Sequence, residues 1–192
     1  MKYMFVSDIH GNLEMLEKSV EIFEREKADK LIILGDTSGG YYDDKDYFIA
    51  EILNNLEDKV EVIRGNCDTA DFEEMLKFEM FDDDILPLEI KNGEYKFISI
   101  THGHLYNYSH LPPNCGDIFI QGHIHIPMLM ESGDRILANP GSLGRPRGSN
   151  LRCYIIADGS GISLYSIDGE LINKLSCWNT LWSTEVVHIL HH

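Results

Sequence analysis

The sequence predicts an α/β domain built on two packed β-sheets. Three observations predict it: apolar runs and helical patterns alternate through the first half, short strand patterns crowd the second half, and the chain has 192 residues. At roughly 100–200 residues per domain that length suits one domain, able to bury roughly 70 % of its unfolded surface without disulfides.

The elements follow in order. Tyr3 to Val6 reads as a strand, and Asn12 to Glu26 carries Leu13, Leu16, Val20 and Phe23 at helical spacing. Leu31 to Leu34 is a buried-strand run, and Phe48 to Leu56 repeats the helical pattern through Ile49, Ile52, Leu53 and Leu56. Val60 to Ile63 is a third strand, followed by a helical pattern over Phe72 to Met80. Such alternation implies right-handed crossovers and a mostly parallel sheet.

From Ile85 onward strand patterns recur at Leu88–Ile90, Lys96–Ile100, Ile118–Ile120, Ile126–Met130, Arg135–Ala138, Cys153–Ala157, Ile162–Tyr165 and Leu171–Leu175. Gly, Asn, Asp and Pro turns separate them, with hairpin turns at Lys91-Asn92-Gly93-Glu94 and Ala157-Asp158-Gly159. Asp82-Asp83-Asp84 reads as a solvated loop. Residues 1–176 form the domain, and 177–192 form a helical tail that docks on the body or makes an interface. Trp178, Leu181, Trp182, Val186, Val187 and Leu190 recur there at near-helical spacing.

Composition narrows the function. Apolar residues make up 43 % and charged residues 25 %, an ordinary globular balance. No apolar run approaches the roughly 18 residues of a membrane span, and no signal peptide is evident. The four cysteines lack paired spacing and read as reduced thiols of a cytoplasmic protein. The formal charge of −16 repels polyanions, so a long nucleic-acid footprint is not expected. A small phosphorylated substrate is still admissible if a bound metal supplies local positive charge.

Five apolar runs end in residues of metal-binding type. Phe5-Val6 leads to Asp8 and His10, Ile33-Leu34-Gly35 to Asp36, and Val62-Ile63-Arg64-Gly65 to Asn66. Ile98 to Thr101 leads to His102, and Ile118 to Gly122 leads to His123 and His125. Ligands bind at the carboxyl ends of strands in open α/β sheets, so these seven side chains are expected to share one crevice. Imidazole, carboxylate and amide oxygen without thiolate suit Mn²⁺, Fe²⁺, Zn²⁺ or Co²⁺ better than an all-oxygen Mg²⁺ site. Seven donors exceed one tetrahedral ion and suit two ions sharing a carboxylate.

The ordered set Asp8-Ile9-His10-Gly11-Asn12, Gly35-Asp36, Gly65-Asn66-Cys67-Asp68, Thr101-His102-Gly103-His104 and Gly122-His123-Ile124-His125 resembles the calcineurin-like metallophosphoesterases. Gly-Asn-Cys-Asp, His-Gly-His and Asn139-Pro140-Gly141-Ser142 narrow the likeness to the small YfcE-type phosphodiesterases. The resemblance runs from Met1 to about Leu175. It implies a four-layer αββα fold, with two mixed sheets face to face and flanked by helices. It also implies two divalent metals, Mn first, with Fe, Zn, Co or Ni as alternatives. Asp8, His10 and His125 would hold one, Asn66, His102 and His123 the other, and Asp36 would bridge. The implied reaction is hydrolysis of a small soluble phosphodiester by in-line attack of a metal-bridging hydroxide.

Other residues carry weaker expectations. Cys67 stands where many relatives have a His that protonates the leaving group, which biases the site towards diesters or good leaving groups. His104 would face the substrate or orient a ligand. Asn12 would bond a phosphate oxygen or cap the helix that follows it. Arg147 and Arg64 would meet phosphate or surface carboxylates, and Tyr41-Tyr42 would stack on an aromatic leaving group or lie in an exposed loop. Alternative functions are a phosphomonoesterase with the same site and a binding scaffold, since a retromer subunit resembles the family. A homo-oligomer through the tail is a further expectation.

Overall fold

A computed structural model describes residues 1–40, 44–89 and 93–176. Tyr3–Val6 (β1) alternates its side chains between two cores: Tyr3 and Phe5 face one, Met4 and Val6 the other, and all four are buried. A strand buried on both faces reads as a continuous apolar run, which explains its pattern. β1 pairs in parallel with Lys30–Ile33 (β2), and β2 with Val60–Val62 (β3). Leu13–Glu26 (α1) and Asp44–Leu56 (α2) make the crossovers, and Ala70–Glu73 (α3) follows β3.

Three antiparallel strands complete this sheet, Cys153–Asp158 (β9), Gly161–Ser166 (β10) and Leu171–Leu175 (β11), in the order β11-β10-β9-β1-β2-β3. The second sheet has five strands in the order β4-β5-β6-β8-β7: Asp83–Glu89 (β4), Tyr95–Thr101 (β5), Ile118–Gln121 (β6), Met128–Ser132 (β7) and Arg135–Asn139 (β8). β5, β6 and β8 run parallel, while β4 and β7 close the edges antiparallel. Both sheets are therefore mixed. Their facing sides share one core that includes Phe5, Ile32, Ile98, Ile120 and Ile155.

The three helices pack on the outer side of the six-stranded sheet, where Leu16, Phe23, Ile49, Leu53 and Phe72 meet Met4, Ile33 and Val62. On the outer side of the five-stranded sheet the described residues place a loop rather than a helix. Tyr108 packs edge-on against Phe119 there, and its hydroxyl donates to the Ala138 carbonyl at 2.9 Å.

Two local expectations differ from the structure. Asp83 and Asp84 belong to β4 rather than to a loop, paired with Thr101 and Ile100. An edge strand leaves one flank to water, so it tolerates charges that a central strand would not. The helical pattern over 72–80 yields only the short α3. Asn54 donates to the Met75 carbonyl at 2.8 Å and accepts from Lys77 N at 2.7 Å, so side-chain bonds replace helical ones beyond it. Tyr41-Tyr42 and the tail 177–192 lie outside the described residues, as does part of the hairpin turn at 91–94.

Candidate metal centre

The parallel strands of both sheets end at the same side of the molecule, and the loops that follow them turn sharply. Among the described residues eight non-glycine residues have positive φ, and five of them are Asp8 (54°), His10 (50°), Asp36 (51°), His123 (68°) and His125 (62°). Each left-handed position costs roughly 1–3 kcal/mol, and such strain gathers where function fixes a geometry. The turns fold these side chains back over the strand ends. Glycine makes room beside them: a Cβ at Gly65 would overlap the Asp36 nitrogen and carboxylate, and one at Gly122 would come within 2.8 Å of Asp8 Oδ2.

Asp8, His10, Asp36 and His125 form one tight group, each offering a donor atom within 4.8 Å of the others. His125 Nε2 lies 3.1 Å from Asp8 Oδ1 and 3.1 Å from His10 Nε2. His10 Nε2 is 3.8 Å from Asp8 Oδ1 and 3.7 Å from Asp36 Oδ2. A second group surrounds His102. Its Nε2 lies 3.4 Å from Asp36 Oδ1, 3.1 Å from Asn66 Oδ1 and 3.3 Å from His123 Nδ1. Asp36 thus turns one carboxylate oxygen towards each group.

Surrounding groups fix these orientations. His102 Nδ1–H donates to the Leu34 carbonyl at 2.7 Å, and His125 Nδ1–H donates to the Arg145 carbonyl at 2.7 Å. Both assignments leave the Nε2 lone pair facing the cluster, as metal-binding histidines require. Asp8 Oδ2 accepts from Ser7 Oγ at 2.6 Å and from His123 N at 2.9 Å. Asp68 Oδ1 accepts from Thr37 N at 2.7 Å and Ser38 N at 3.0 Å, and its Oδ2 from Gly65 N at 2.8 Å, tying the Asp36 and Asn66 loops together.

Among the described residues buried Asp8 Oδ1 has no hydrogen-bond donor. A single proton on His10 could serve His125, yet it would leave that oxygen without one. A cation satisfies the converging lone pairs together, so these residues fit a divalent metal. In the metal-free chain burial alone would raise the Asp36 pKa, but a protonated His102 and the Cys67 amide would outweigh it and hold the carboxyl well below its ordinary range.

The remaining expected residues are placed unevenly. Cys67 borders the cluster: its N–H donates to Asp36 Oδ1 at 2.8 Å, and burial, with the Asp36 and Asp68 carboxylates, pushes the thiol up to about 11. His104 is exposed, its ring centroid 5.4 Å from that of His102, and burial with the His102 and His123 charges lowers its pKa. Asn12 Oδ1 caps α1 by accepting from Met15 N at 3.2 Å, while Asn12 also lines a cleft beside His10. Arg147 is exposed and contributes its backbone N–H to the His125 carbonyl at 3.0 Å. Arg64 is held by Glu73 and by Asp82, at 3.4 Å from the latter.

Sequence reasoning missed Ser7, Arg145 and the work of Asn139-Pro140-Gly141-Ser142. Asn139 Nδ2 donates to the Gly122 carbonyl at 2.7 Å and Ser142 Oγ to the Asp8 carbonyl at 2.7 Å, so this turn braces two ligand-bearing loops. The motif itself was visible, whereas its contact with the Asp8 carbonyl reaches across 134 residues of chain.

A calcineurin-like phosphoesterase superfamily domain matches residues 1–161. The phosphodiesterase YfcE of Escherichia coli K12 is 34 % identical over 182 residues, spanning 90 % of this chain and 95 % of its own. A solved structure of YfcE, a phosphoesterase from E. coli, aligns with a TM-score of 0.81 at 32 % identity over 92 % of this chain and 99 % of its own. The phosphodiesterase MJ0936 of Methanocaldococcus jannaschii is 29 % identical over 148 residues, 73 % of this chain and 83 % of its own. Vacuolar Protein Sorting 29 from Cryptosporidium parvum shares the fold at 16 % identity and a TM-score of 0.61, over 91 % of this chain and 97 % of its own. With its two mixed sheets, its cluster at their strand ends and these matches, the chain belongs to the calcineurin-like phosphoesterase superfamily.

Proposed function

We propose that the protein is a metal-dependent phosphodiesterase acting on a small soluble phosphoester. Asp8, His10 and His125 would hold one divalent cation and Asn66, His102 and His123 a second, with Asp36 shared between them. Mn²⁺ is the first choice, and Fe, Zn, Co or Ni suit the same donors. Bound there, the cations would supply positive charge against a phosphoryl group and raise the acidity of water at the site. The observation that carries this reading is the buried Asp8 oxygen without a donor, set among ring nitrogens whose lone pairs converge on it.

The chain's own groups favour a diester. A phosphate monoester with a poor leaving group needs a proton donor beside the departing oxygen. Cys67 puts a thiol at that place instead of an imidazole, and a thiol beside two cations would lose its proton too readily to serve as that donor. His104 sits at the rim, its pKa lowered by burial and by neighbouring positive charge, which makes it a poor store for a proton. A diester with a good leaving group needs neither. Asn12 and Arg147 are the remaining candidates for substrate contact. No described helix is long and apolar enough to cross a membrane, and a reducing cytoplasm suits the free thiols of Cys67, Cys115 and Cys153.

The test is a panel of aryl phosphodiesters and monoesters assayed with purified protein of known metal content. Faster diester turnover that vanishes on metal removal is expected. Faster monoester turnover would assign the site to a monoesterase, and no turnover at full metal content would favour a scaffold.

A further inference from the structure

Resting on the phosphoesterase reading, we propose that the Arg145 guanidinium binds a non-bridging oxygen of the scissile phosphoryl group, in the cleft that Arg145 shares with His10 and Asn12. This cleft of about 390 Å³ opens beside the metal cluster. Arg145 lies in the loop after β8, and its backbone is held at both polar atoms. Its N–H donates to Ser142 Oγ at 2.8 Å, and its carbonyl accepts from His125 Nδ1. The residue is therefore fixed to the same supports that hold Asp8 and His125.

Its side chain is exposed and, like that of Arg147, has no hydrogen-bond or ion-pair partner among the described residues. Arg64 meets Glu73 and Asp82, Arg135 meets Asp134, and Arg152 bonds the Leu143 carbonyl. Among the described residues Arg145 has no such partner, although the chain carries twice as many acidic as basic residues. Arg145 and His10 line the same cleft, so the guanidinium lies on its wall beside the cluster, and its charge bears on both His10 and Cys67. A planar fork of N–H donors matches two phosphate oxygens, whereas an unpaired surface cation in an acidic protein ordinarily finds a carboxylate. Lys45 and Glu14 also line the cleft, so Glu14 opposes any anion seated there.

Inorganic phosphate is the probe. Its affinity is measured by calorimetry on the full chain loaded with Mn²⁺, with metal content determined on the same samples. Arg145→Met is expected to weaken phosphate binding about tenfold or more, and Arg145→Lys to weaken it less. Metal content should hold, because the carbonyl rather than the side chain supports His125. Undiminished phosphate affinity in Arg145→Met overturns the proposal. Should that variant lose metal, Glu14→Gln decides: tighter phosphate binding supports the placement, and unchanged binding overturns it. Turnover is scored separately. Phosphate binding that tracks Arg145 in a protein inert on every diester refutes the activity and leaves this site standing, while active enzyme whose phosphate affinity ignores Arg145 does the reverse.

Discussion

His125 Nε2 and Asp8 Oδ1 face each other at 3.1 Å, and with His125 Nδ1–H donated to the Arg145 carbonyl a neutral ring turns only a lone pair towards that oxygen. Their approach makes sense only around positive charge. It also makes the metal-free protein strained, since a buried carboxylate oxygen and a ring nitrogen oppose each other. Stripping the protein with a chelator should therefore lower its melting temperature as well as its activity, and divalent metal should restore both. Saturation at a hundred times Kd corresponds to about 2.7 kcal/mol of stabilisation. Differential scanning calorimetry reads it, and an unchanged melting temperature would count against a cation at this place.

Two chain segments of the site meet closely at Gly65, where an added methyl would overlap Asp36. Gly65→Ala should push the Asn66 loop away from Asp36 and cost about 1–3 kcal/mol in stability, in the range of other overpacked positions. Metal affinity should fall with it. Urea denaturation and metal titration measure the two effects, and an alanine tolerated in both would show that the loops have more freedom than their packing indicates.

Cys67 offers a test of substrate preference. Cys67→His places an imidazole where the thiol now touches the Asp36 and Asn66 side of the cluster, its Sγ 3.4 Å from Asn66 Nδ2. General acid catalysis contributes about 10²–10⁴-fold where a proton donor is well placed. The variant should gain on aryl monoesters relative to diesters. The ratio of the two rates reads the gain, and an unaltered ratio removes Cys67 from the account of specificity.

A pH effect arises away from the site. Burial, then the hydrogen bond and charge of Asp84, push Glu61 up to about 7 from an ordinary value near 4.5. The folded state then holds a proton that the unfolded chain has released between those values. Its stabilising contribution is complete below about 4.5 and is lost as pH rises through about 7. Glu61→Gln should flatten the fall in melting temperature across that window, and an identical pH profile would show Glu61 to be ionised throughout.

Much of this architecture could be read from the chain because strong signals were local. β1, β2 and β3 are short apolar runs, and each ends in a glycine or polar residue that the crossover rule brings to one side. The placement of Asp8, Asp36 and Asn66 beyond those ends was legible for that reason. What escaped was either charged or distant. Asp83 and Asp84 hide an edge strand behind a loop-like composition. Phe78 and Leu76 give the segment after α3 a helical pattern, yet they pack as partly buried side chains on the helix-side core without a helix. Among arginines, Arg147 and Arg64 drew notice, while Arg145 is the one at the cleft. Nothing local distinguishes two arginines in Arg145-Pro146-Arg147; the bond from His125 to the first carbonyl does.

The central claim is that Asp36 joins two cation-binding groups into one hydrolytic centre. Elemental analysis of the intact protein and of Asp36→Ala, run beside the rate of aryl phosphodiester hydrolysis, tests it most directly. The account predicts about two divalent ions per chain in the intact protein, with loss of metal and of turnover together in the variant. Full metal content and an undiminished rate in Asp36→Ala would contradict it.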